Sequence, residues 1–373
     1  MKIFILTTVM APYRIDVFNE LGKECDLVVC FEQKKDNERN DSWYKDNIKN
    51  FKLIKAKGWE KSINHVKFYT IQYLKQEKPD LVIFYEYSTK TAMLLMQYCI
   101  TKKIKYLINC DGAFVDTKSN IKKYIKSHYI KNAVGCLANG KSAKKYFMYY
   151  GAKEKNIFFH KFSTLHKSDI LEKPLKKDEK MKLREELKLC QTKRIFICVG
   201  NYIERKGYDL IIKAANELKE ENIEFINIGW GNKKEEYQKL IEEYGLKNIS
   251  LDDFKDKETL KKYYDSADVC LFPTREDIWG LVVNEAMARG LPVITTDSCN
   301  AGLELVENNK NGEIIKTNSY GELTKAIKKY LNKSDEELYQ QGEESIKRIK
   351  EYTIENIAKS HITVLNQLYK ESK

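Results

Sequence analysis

Residues 269–296 read VCLFPTREDIWGLVVNEAMARGLPVITT, and this stretch contains the pattern that decides the fold class. An apolar run over 269–272 precedes a polar loop, a helical pattern covers 281–289, and a second apolar run covers 292–295. Both apolar runs are continuous rather than alternating, which indicates strands that are buried on both faces of a sheet. A strand, a crossover helix and a second buried strand therefore predict a parallel sheet between two layers of helices.

The same alternation of strand and helix recurs along the 373 residues in two series. The first series begins at Ile3–Thr7 and the second at Ile195–Val199. We predict an α/β protein with two Rossmann-like, doubly wound parallel-sheet domains that face each other across a cleft. The predicted ranges are 1–170 for the first domain, 171–192 for a charge-rich linker, 193–350 for the second domain and 351–373 for a closing helix. The closing helix can either cap the second domain or cross back to the first.

The composition excludes several classes of protein. Hydrophobic residues make up 42% of the chain and charged residues 32%, which is typical of a globular protein and not of a disordered one. No run approaches the ~18 apolar residues of a membrane-spanning helix. The nine cysteines contain no CxxC pair, which favours a reducing compartment, and Met1–Ala11 is better explained by a first strand than by a signal peptide. We therefore expect a cytoplasmic protein.

The positive charge is concentrated in one region. Residues 101–170 contain 15 lysines, no arginine and four acids, a net charge of +11 out of +12 for the whole chain. Such a concentration suggests an anionic partner, although a lysine-rich composition alone is the competing explanation. Aromatic residues are interspersed here, but no RNA- or DNA-binding module is recognisable. We expect this region to bind an anionic membrane surface at the inner face of the membrane, and we expect no nucleic acid.

Candidate ligand-binding residues follow the strands of the second series. Gly200 ends the first of these strands, and the cationic pair Arg205 and Lys206 opens the next helix, which suits a phosphate group but is also a common helix start. Gly229 begins a glycine turn after the next strand, without the spacing of a dinucleotide fingerprint. That turn predicts either close approach of the backbone to a ligand or an ordinary bend.

Two carboxylates flank the start of the helix in the opening stretch. Asp277 lies in the loop, and Glu285 lies eight residues further on. Together they can accept hydrogen bonds from hydroxyl groups on two parts of one ligand, while the backbone amides between them hold its phosphate. The competing interpretation is that Asp277 caps the helix and Glu285 is solvated. The spacing does not favour either interpretation.

Residues 275–296 resemble the signature of the retaining glycosyltransferases of family 4, which have the GT-B fold. The family's Glu-x7-Glu motif matches Asp277-x7-Glu285, with Asp in place of the first Glu; the adjacent Glu276 is the alternative first carboxylate. The resemblance extends to the family's diphosphate-binding loop, where Lys206 falls on the family's Lys and Asn201 stands where Arg is common.

The resemblance implies roles for individual residues. Lys206, Arg205 and the amides near Gly280 would stabilise the leaving diphosphate, Glu285 would hold the ribose, and Asp277 would hold the donor sugar. The implied donor contacts are Gly200, Asn201, Arg205, Lys206, Gly229, Phe254, Ile278, Trp279, Gly280, Leu281 and Glu285. The implied catalytic set is Asp111, Lys206, Asp277 and Glu285. Asp111 follows a strand of the first domain, where Glu86 and Arg14 are further candidates.

The resemblance thus implies transfer of a sugar, with retention, from a nucleotide donor that is expected to be UDP-linked. The expected acceptor is a glycan or a lipid-linked glycan of a bacterial surface polysaccharide. No DxD motif occurs and the five histidines show no metal spacing, so we expect no metal ion and no cofactor. The alternatives are a nucleotide-sugar epimerase of the same fold, and a nucleic-acid-binding protein that uses residues 101–170.

Overall fold

A computed structural model of the chain describes residues 1–33, 47–57, 65–115 and 119–370. The described residues form two units. The first unit contains those from Met1 to Thr164 and from Tyr352 onwards, and the second contains Leu165–Glu351. Each unit has one parallel sheet with helices on both faces, as the continuous apolar strands predicted.

The sheet of the first unit has seven strands in the order β3-β2-β1-β4-β5-β6-β7, all parallel to their neighbours. The strands are β1 (Lys2–Thr7), β2 (Asp26–Phe31), β3 (Lys52–Lys55), β4 (Leu81–Phe84), β5 (Tyr106–Cys110), β6 (Gly135–Ala138) and β7 (Ile157–Phe159). The helices are α1 (Pro12–Leu21), α2 (Tyr69–Glu77), α3 (Lys90–Lys102), α4 (Asn120–Asn132), α5 (Lys141–Tyr149) and the closing helix α14 (Ile354–Lys370).

Two hydrophobic clusters cover the two faces of this sheet. On β1, Ile3 and Ile5 pack into the cluster formed with α1 and α14, while Phe4 and Leu6 pack into the cluster formed with α2 to α5. All four side chains are fully buried. Burial of each contributes roughly 1.5–3 kcal/mol, which explains why the strand is apolar from Ile3 to Leu6.

The sheet of the second unit has six parallel strands in the order β10-β9-β8-β11-β12-β13. The strands are β8 (Arg194–Val199), β9 (Ile223–Gly229), β10 (Ile249–Asp253), β11 (Val269–Phe272), β12 (Val293–Thr296) and β13 (Gly312–Ile315). The helices are α6 (Lys177–Glu186), α7 (Tyr208–Glu217), α8 (Lys234–Glu243), α9 (Lys257–Ser266), α10 (Leu281–Ala288), α11 (Asn300–Leu305), α12 (Tyr320–Leu331) and α13 (Asp335–Ile349).

The structure corrects the predicted linker over 171–192. This stretch lies within the second unit and contains α6, whose Arg184 side chain is buried. Arg184 donates hydrogen bonds to the Ser266 carbonyl at 2.9 Å and to Asp268 Oδ2 at 2.8 Å. A helix that is attached through buried contacts of its charged side chains carries little apolar periodicity, so the pattern of hydrophobic residues did not reveal it.

The closing helix α14 belongs to the first unit, which is the second of the two alternatives left open by the sequence. Its residues Ile357 and Leu365 are buried in the same cluster as Ile15 and Phe18 of α1. Among the described residues, no helix is both long enough and apolar enough to span a bilayer.

Candidate functional site

The strand order reverses at one position in each sheet, and ligands of such sheets bind beyond the carboxyl ends of the strands at that position. In the second unit the reversal lies between β8 and β11, which are neighbours in the sheet. The loops that follow these two strands are joined by hydrogen bonds. The Arg275 amide donates to the Arg205 carbonyl at 2.7 Å, and Thr274 Oγ1 donates to the same carbonyl at 3.0 Å. The two loops therefore form one connected surface.

Close backbone packing between these loops requires glycine at position 207. Gly207 has φ of 74°, and a Cβ atom there would lie 2.2 Å from the Pro273 carbonyl oxygen. Only glycine combines this left-handed conformation with the absence of a side chain. The packing brings the residues before Gly207 against the start of the loop after β11.

Lys206 and Asp277, both predicted as site residues, are in direct contact across this surface. The Lys206 ammonium donates to Asp277 Oδ2 and lies 4.7 Å from the centre of the Phe272 ring. The Arg205 guanidinium is 3.7 Å from the same carboxylate oxygen. A ligand with both a phosphate and hydroxyl groups can bind the two cations through the phosphate and Asp277 through the hydroxyls.

The loop that carries Asp277 is fixed by its neighbours. The Asp277 amide donates to the Ser298 carbonyl at 2.9 Å, and Asp277 Oδ1 accepts from the Trp279 amide at 3.3 Å. The indole N–H of Trp279 donates to Asn284 Oδ1 at 2.9 Å. The backbone around Ile278 is therefore held in one conformation.

Helix α10 begins at Leu281, and Gly280 occupies its N-cap position. Gly280 has φ of 100°, and a Cβ atom there would lie 2.6 Å from Cys299 Sγ, so the position requires glycine. Asp277 lies three residues before the N-cap and does not cap the helix, which removes one of the competing interpretations. The first amides of α10 remain available to an anion, as helix N-termini generally are.

Glu285 is the fifth residue of α10 and is partly exposed. Its Oε2 accepts a hydrogen bond from the Tyr264 hydroxyl at 3.1 Å. Burial of the carboxyl group raises the pKa of Glu285 to about 7, while the Tyr264 bond and Lys257 act in the opposite direction. Tyr264 is the contact that the sequence did not indicate, because it lies on another helix, α9, and belongs to no motif.

The predicted glycines after β8 and β9 bring two strand ends together. A Cβ atom on Gly229 would lie 1.8 Å from the Gly200 carbonyl oxygen, so the backbones are in contact. Gly200 itself has φ of 150°, and its carbonyl accepts from the Tyr208 hydroxyl at 2.9 Å. Asn201 follows directly and is partly exposed.

Three apolar side chains are exposed at the same edge of the sheet. Phe254 follows β10 and is 48% exposed, Trp230 follows β9 and is 39% exposed, and Ile278 follows β11 and is 50% exposed. Large apolar side chains are normally buried, so three exposed ones at the carboxyl edge suit a ligand with an apolar or aromatic face.

Asp111, the remaining predicted site residue, lies in the first unit beyond β5. Its carboxylate accepts from Arg14 Nη2 at 3.1 Å and from Asn109 Nδ2 at 2.7 Å. Arg14 Nη2 also donates to Glu86 Oε1 at 3.0 Å. The structure thus brings Asp111 together with Arg14 and Glu86, the two other candidates of this unit. The three residues follow β5, β1 and β4, and the strand order reverses between β1 and β4.

One buried guanidinium and two carboxylates make up this cluster of the first unit. Burial acts to lower the pKa of Arg14, but Tyr13 and the two carboxylates raise it above its ordinary value, and burial raises the pKa of Glu86. The sequence could not show this cluster because its members follow three different strands. Among the described residues, no group of three or more His, Cys, Asp or Glu side chains could hold a metal ion.

One family model and several curated relatives match part of the chain. Residues 179–352 match the family model described as glycosyl transferases group 1. The amylovoran biosynthesis glycosyltransferase AmsK of Erwinia amylovora is 34% identical over 144 residues, which cover 36% of this chain and 35% of AmsK. The O-antigen biosynthesis glycosyltransferase WclY of Escherichia coli is 28% identical over 158 residues, which cover 42% of this chain and 41% of WclY. The chain thus aligns with less than half the length of these curated relatives.

The similarity in fold to solved structures covers nearly the full length of the chain. The structure of HepE from Anabaena in complex with UDP superposes with a TM-score of 0.78 at 13% identity, covering 98% of this chain and 100% of HepE. The fold is of the GT-B class, and the prediction of two doubly wound domains is confirmed. Residues 179–352, which match the glycosyl transferases group 1 model, make up most of the second unit.

Proposed function

We propose that the protein is a retaining glycosyltransferase that transfers a sugar from a UDP-linked donor to a glycan or lipid-linked acceptor of a bacterial surface polysaccharide. The observation that carries this proposal is the contact of Lys206 and Arg205 with Asp277 at the reversal point, four residues before the start of α10, the helix that carries Glu285. The curated names of AmsK and WclY support the product class, and the UDP bound to HepE supports the nucleotide.

The second unit binds the donor in this proposal. Lys206, Arg205 and the amides at the start of α10 bind the diphosphate, and Glu285 accepts from the ribose hydroxyls. Asp277 accepts from the sugar hydroxyls, and the exposed ring of Phe254 packs against the base. The first unit binds the acceptor through the Asp111 cluster.

The reaction breaks the bond between the anomeric carbon and the diphosphate oxygen and forms a bond from that carbon to an acceptor hydroxyl oxygen on the same face. The leaving diphosphate takes the proton of the acceptor hydroxyl, so the step is balanced without a further reagent. Lys206 and Arg205 stabilise the negative charge that develops on the leaving oxygen. The proposal requires no cofactor and no metal ion.

A screen of nucleotides tests the proposal. We expect UDP to raise the melting temperature by several degrees, because a ligand at about 100 times its Kd stabilises by roughly 2.7 kcal/mol. GDP and ADP should give smaller shifts, and one UDP-sugar should be slowly hydrolysed without an acceptor. The absence of any nucleotide shift would contradict the proposal. Conversion of the UDP-sugar into an isomer, with no release of UDP, would instead identify an epimerase.

We further propose that the first unit binds an anionic bilayer through α4. On this helix Ile121 is 75% exposed and Tyr124 is 77% exposed, and Lys122 and Lys123 between them are exposed as well. Apolar and aromatic side chains beside lysines are typical of helices that lie at a membrane interface. The charge of residues 101–170 favours anionic headgroups, and we place the enzyme at the cytoplasmic face of the membrane.

Vesicle binding tests this surface. The double variant Ile121→Ser/Tyr124→Ser should bind phosphatidylglycerol vesicles at least about 100-fold more weakly, since each buried apolar side chain is worth roughly 1.5–3 kcal/mol. Leu303→Ser, which removes an exposed apolar side chain of the second unit, is the matched control and should bind normally. Binding should weaken at high salt. If the double variant binds vesicles as tightly as the Leu303→Ser control, the assignment of α4 is contradicted. If the unaltered protein is retained on DNA but does not bind vesicles, a nucleic-acid partner is favoured instead.

A further inference from the structure

A cavity lies at the edge of the second unit's sheet where the strands begin, opposite the edge that carries the donor site. It has a volume of about 760 Å³, and its lining includes Arg194 at the start of β8, Asn222 just before β9 and Asp268 just before β11. This volume lies within the range of roughly 300–1,000 Å³ that is usual for small-molecule sites. None of the residues assigned to the donor lines it.

Positive charge predominates in this cavity. Three acids line it, against six cationic side chains: Lys176, Lys177, Lys180, Arg184, Lys193 and Arg194. A concave, partly enclosed surface with an excess of one sign of charge concentrates counter-ions more strongly than an open surface does.

The deepest part of the cavity places three cations around one carboxylate. Asp268 lies 2.8 Å from Arg184, 3.5 Å from Lys180 and 4.0 Å from Arg194, measured between the nearest nitrogen and carboxylate oxygen. Burial lowers the pKa of Lys180, and the neighbouring Arg184 and Arg194 lower it further, against the effect of Asp268. The single carboxylate therefore does not balance the cations that face it.

A second carboxylate in the cavity lining does not remove the excess of positive charge. Asp335, at the start of α13, accepts from Arg194 at 2.7 Å and pairs with Lys177 at 2.8 Å. The two acids thus share four cations, and Lys193 adds a fifth on the same wall. Bound anions stabilise such partly buried clusters because they supply the missing charge at short range.

We propose that this cavity binds a small phosphate-bearing anion, at a site separate from the donor site. Planar guanidinium groups and ammonium groups together are the side chains that bind phosphate oxygens most strongly. Along β8, the six residues from Arg194 to Val199 span roughly 20 Å at about 3.3 Å per residue. The two sites therefore lie at opposite ends of the same strand, and the donor proposal does not depend on this one.

Calorimetric titration of the full-length protein with inorganic pyrophosphate tests this proposal. We use the Lys206→Met variant as the background, because it removes a principal cation of the donor site. We expect saturable binding there, and affinity at least about tenfold weaker when Lys180→Gln is added, which corresponds to the loss of one charge-assisted contact. Lys239→Gln, at an exposed lysine of α8, is the matched control and should leave the affinity unchanged.

Lys193→Gln provides a second variant in case Lys180→Gln disturbs the attachment of α6, which thermal unfolding would reveal. Lys193 takes part in none of the ion pairs around Asp268, so its replacement should weaken pyrophosphate binding without lowering the melting temperature. The proposal is overturned if the Lys206→Met protein shows no saturable binding, or if Lys193→Gln and a folded Lys180→Gln protein both retain full affinity.

Discussion

Replacing Glu285 by alanine is expected to lower the rate of UDP-sugar hydrolysis and transfer by about 10²-fold or more. In the proposed complex the carboxylate accepts hydrogen bonds from two ribose hydroxyls, and each bond to a charged group is worth roughly 1.5–3 kcal/mol. The measurement is release of UDP with the donor at a fixed concentration. Glu243→Ala, on the exposed face of α8, is the matched control and should retain full activity. Full activity of the Glu285→Ala protein would eliminate the ribose-binding role.

The pH dependence of donor binding provides a second test of the same residue. Since the pKa of Glu285 is raised to about 7, the group is protonated below that pH and accepts hydrogen bonds poorly. Donor affinity should therefore rise as the pH increases through about 7, and Glu285→Gln should remove most of that rise.

The raised pKa of Glu285 affects the free energy of unfolding in the opposite direction. Between the ordinary pKa of 4.5 and about 7, the unfolded chain releases this proton first, so the Glu285 contribution to folding decreases as the pH rises.

Replacing Lys206 by methionine is expected to reduce kcat by about 10²–10³-fold, the usual cost of removing one group that stabilises developing negative charge. The change also removes the cation in direct contact with Asp277 and leaves only the more distant Arg205 beside that carboxylate, next to the bound diphosphate. Repulsion between that carboxylate and the phosphates should weaken donor binding as well. Single-turnover and steady-state rates with a UDP-sugar would separate the two effects.

The double variant Lys206→Met/Asp277→Asn sharpens this test. Because the two side chains are in contact, their effects should not be additive, and the second change should restore part of the donor affinity that the first removes. Lys213→Met, at an exposed lysine of α7, is the control for loss of a positive charge and should behave like the unaltered protein. Strictly additive losses would contradict a shared role for Lys206 and Asp277 at the diphosphate.

The sequence predicted most of the fold because the strands are continuous apolar runs. Buried runs such as Ile195–Val199 and Val269–Phe272 need both faces covered, so they indicate a parallel sheet without any knowledge of the pairing partners. Helix α6 was missed because it is attached through Arg184 and Asp268, and a buried ion pair leaves no periodic apolar signal. Strand β3 (Lys52–Lys55) was missed because its side chains are at most partly buried at the edge of the sheet.

The sequence predicted the site residues that lie in one continuous stretch, but not the contacts between residues that are far apart in sequence. Asp277 and Glu285 belong to one stretch, so their spacing placed both at the same helix start. The contact between Lys206 and Asp277 joins residues 71 positions apart, and the Tyr264 bond to Glu285 joins two helices. Such contacts depend on strand order, which the hydrophobic pattern does not encode.

The placement of α14 has a consequence for how the protein is made. The first unit is discontinuous in sequence, because its last helix is synthesised only after the whole second unit. Until then Ile15 and Phe18 of α1 lack the apolar side chains of α14 that later bury them. The second unit can fold on the ribosome as an uninterrupted segment, whereas the first unit keeps an apolar surface uncovered until α14 has been translated. The unit that is translated before the second one is thus completed after it.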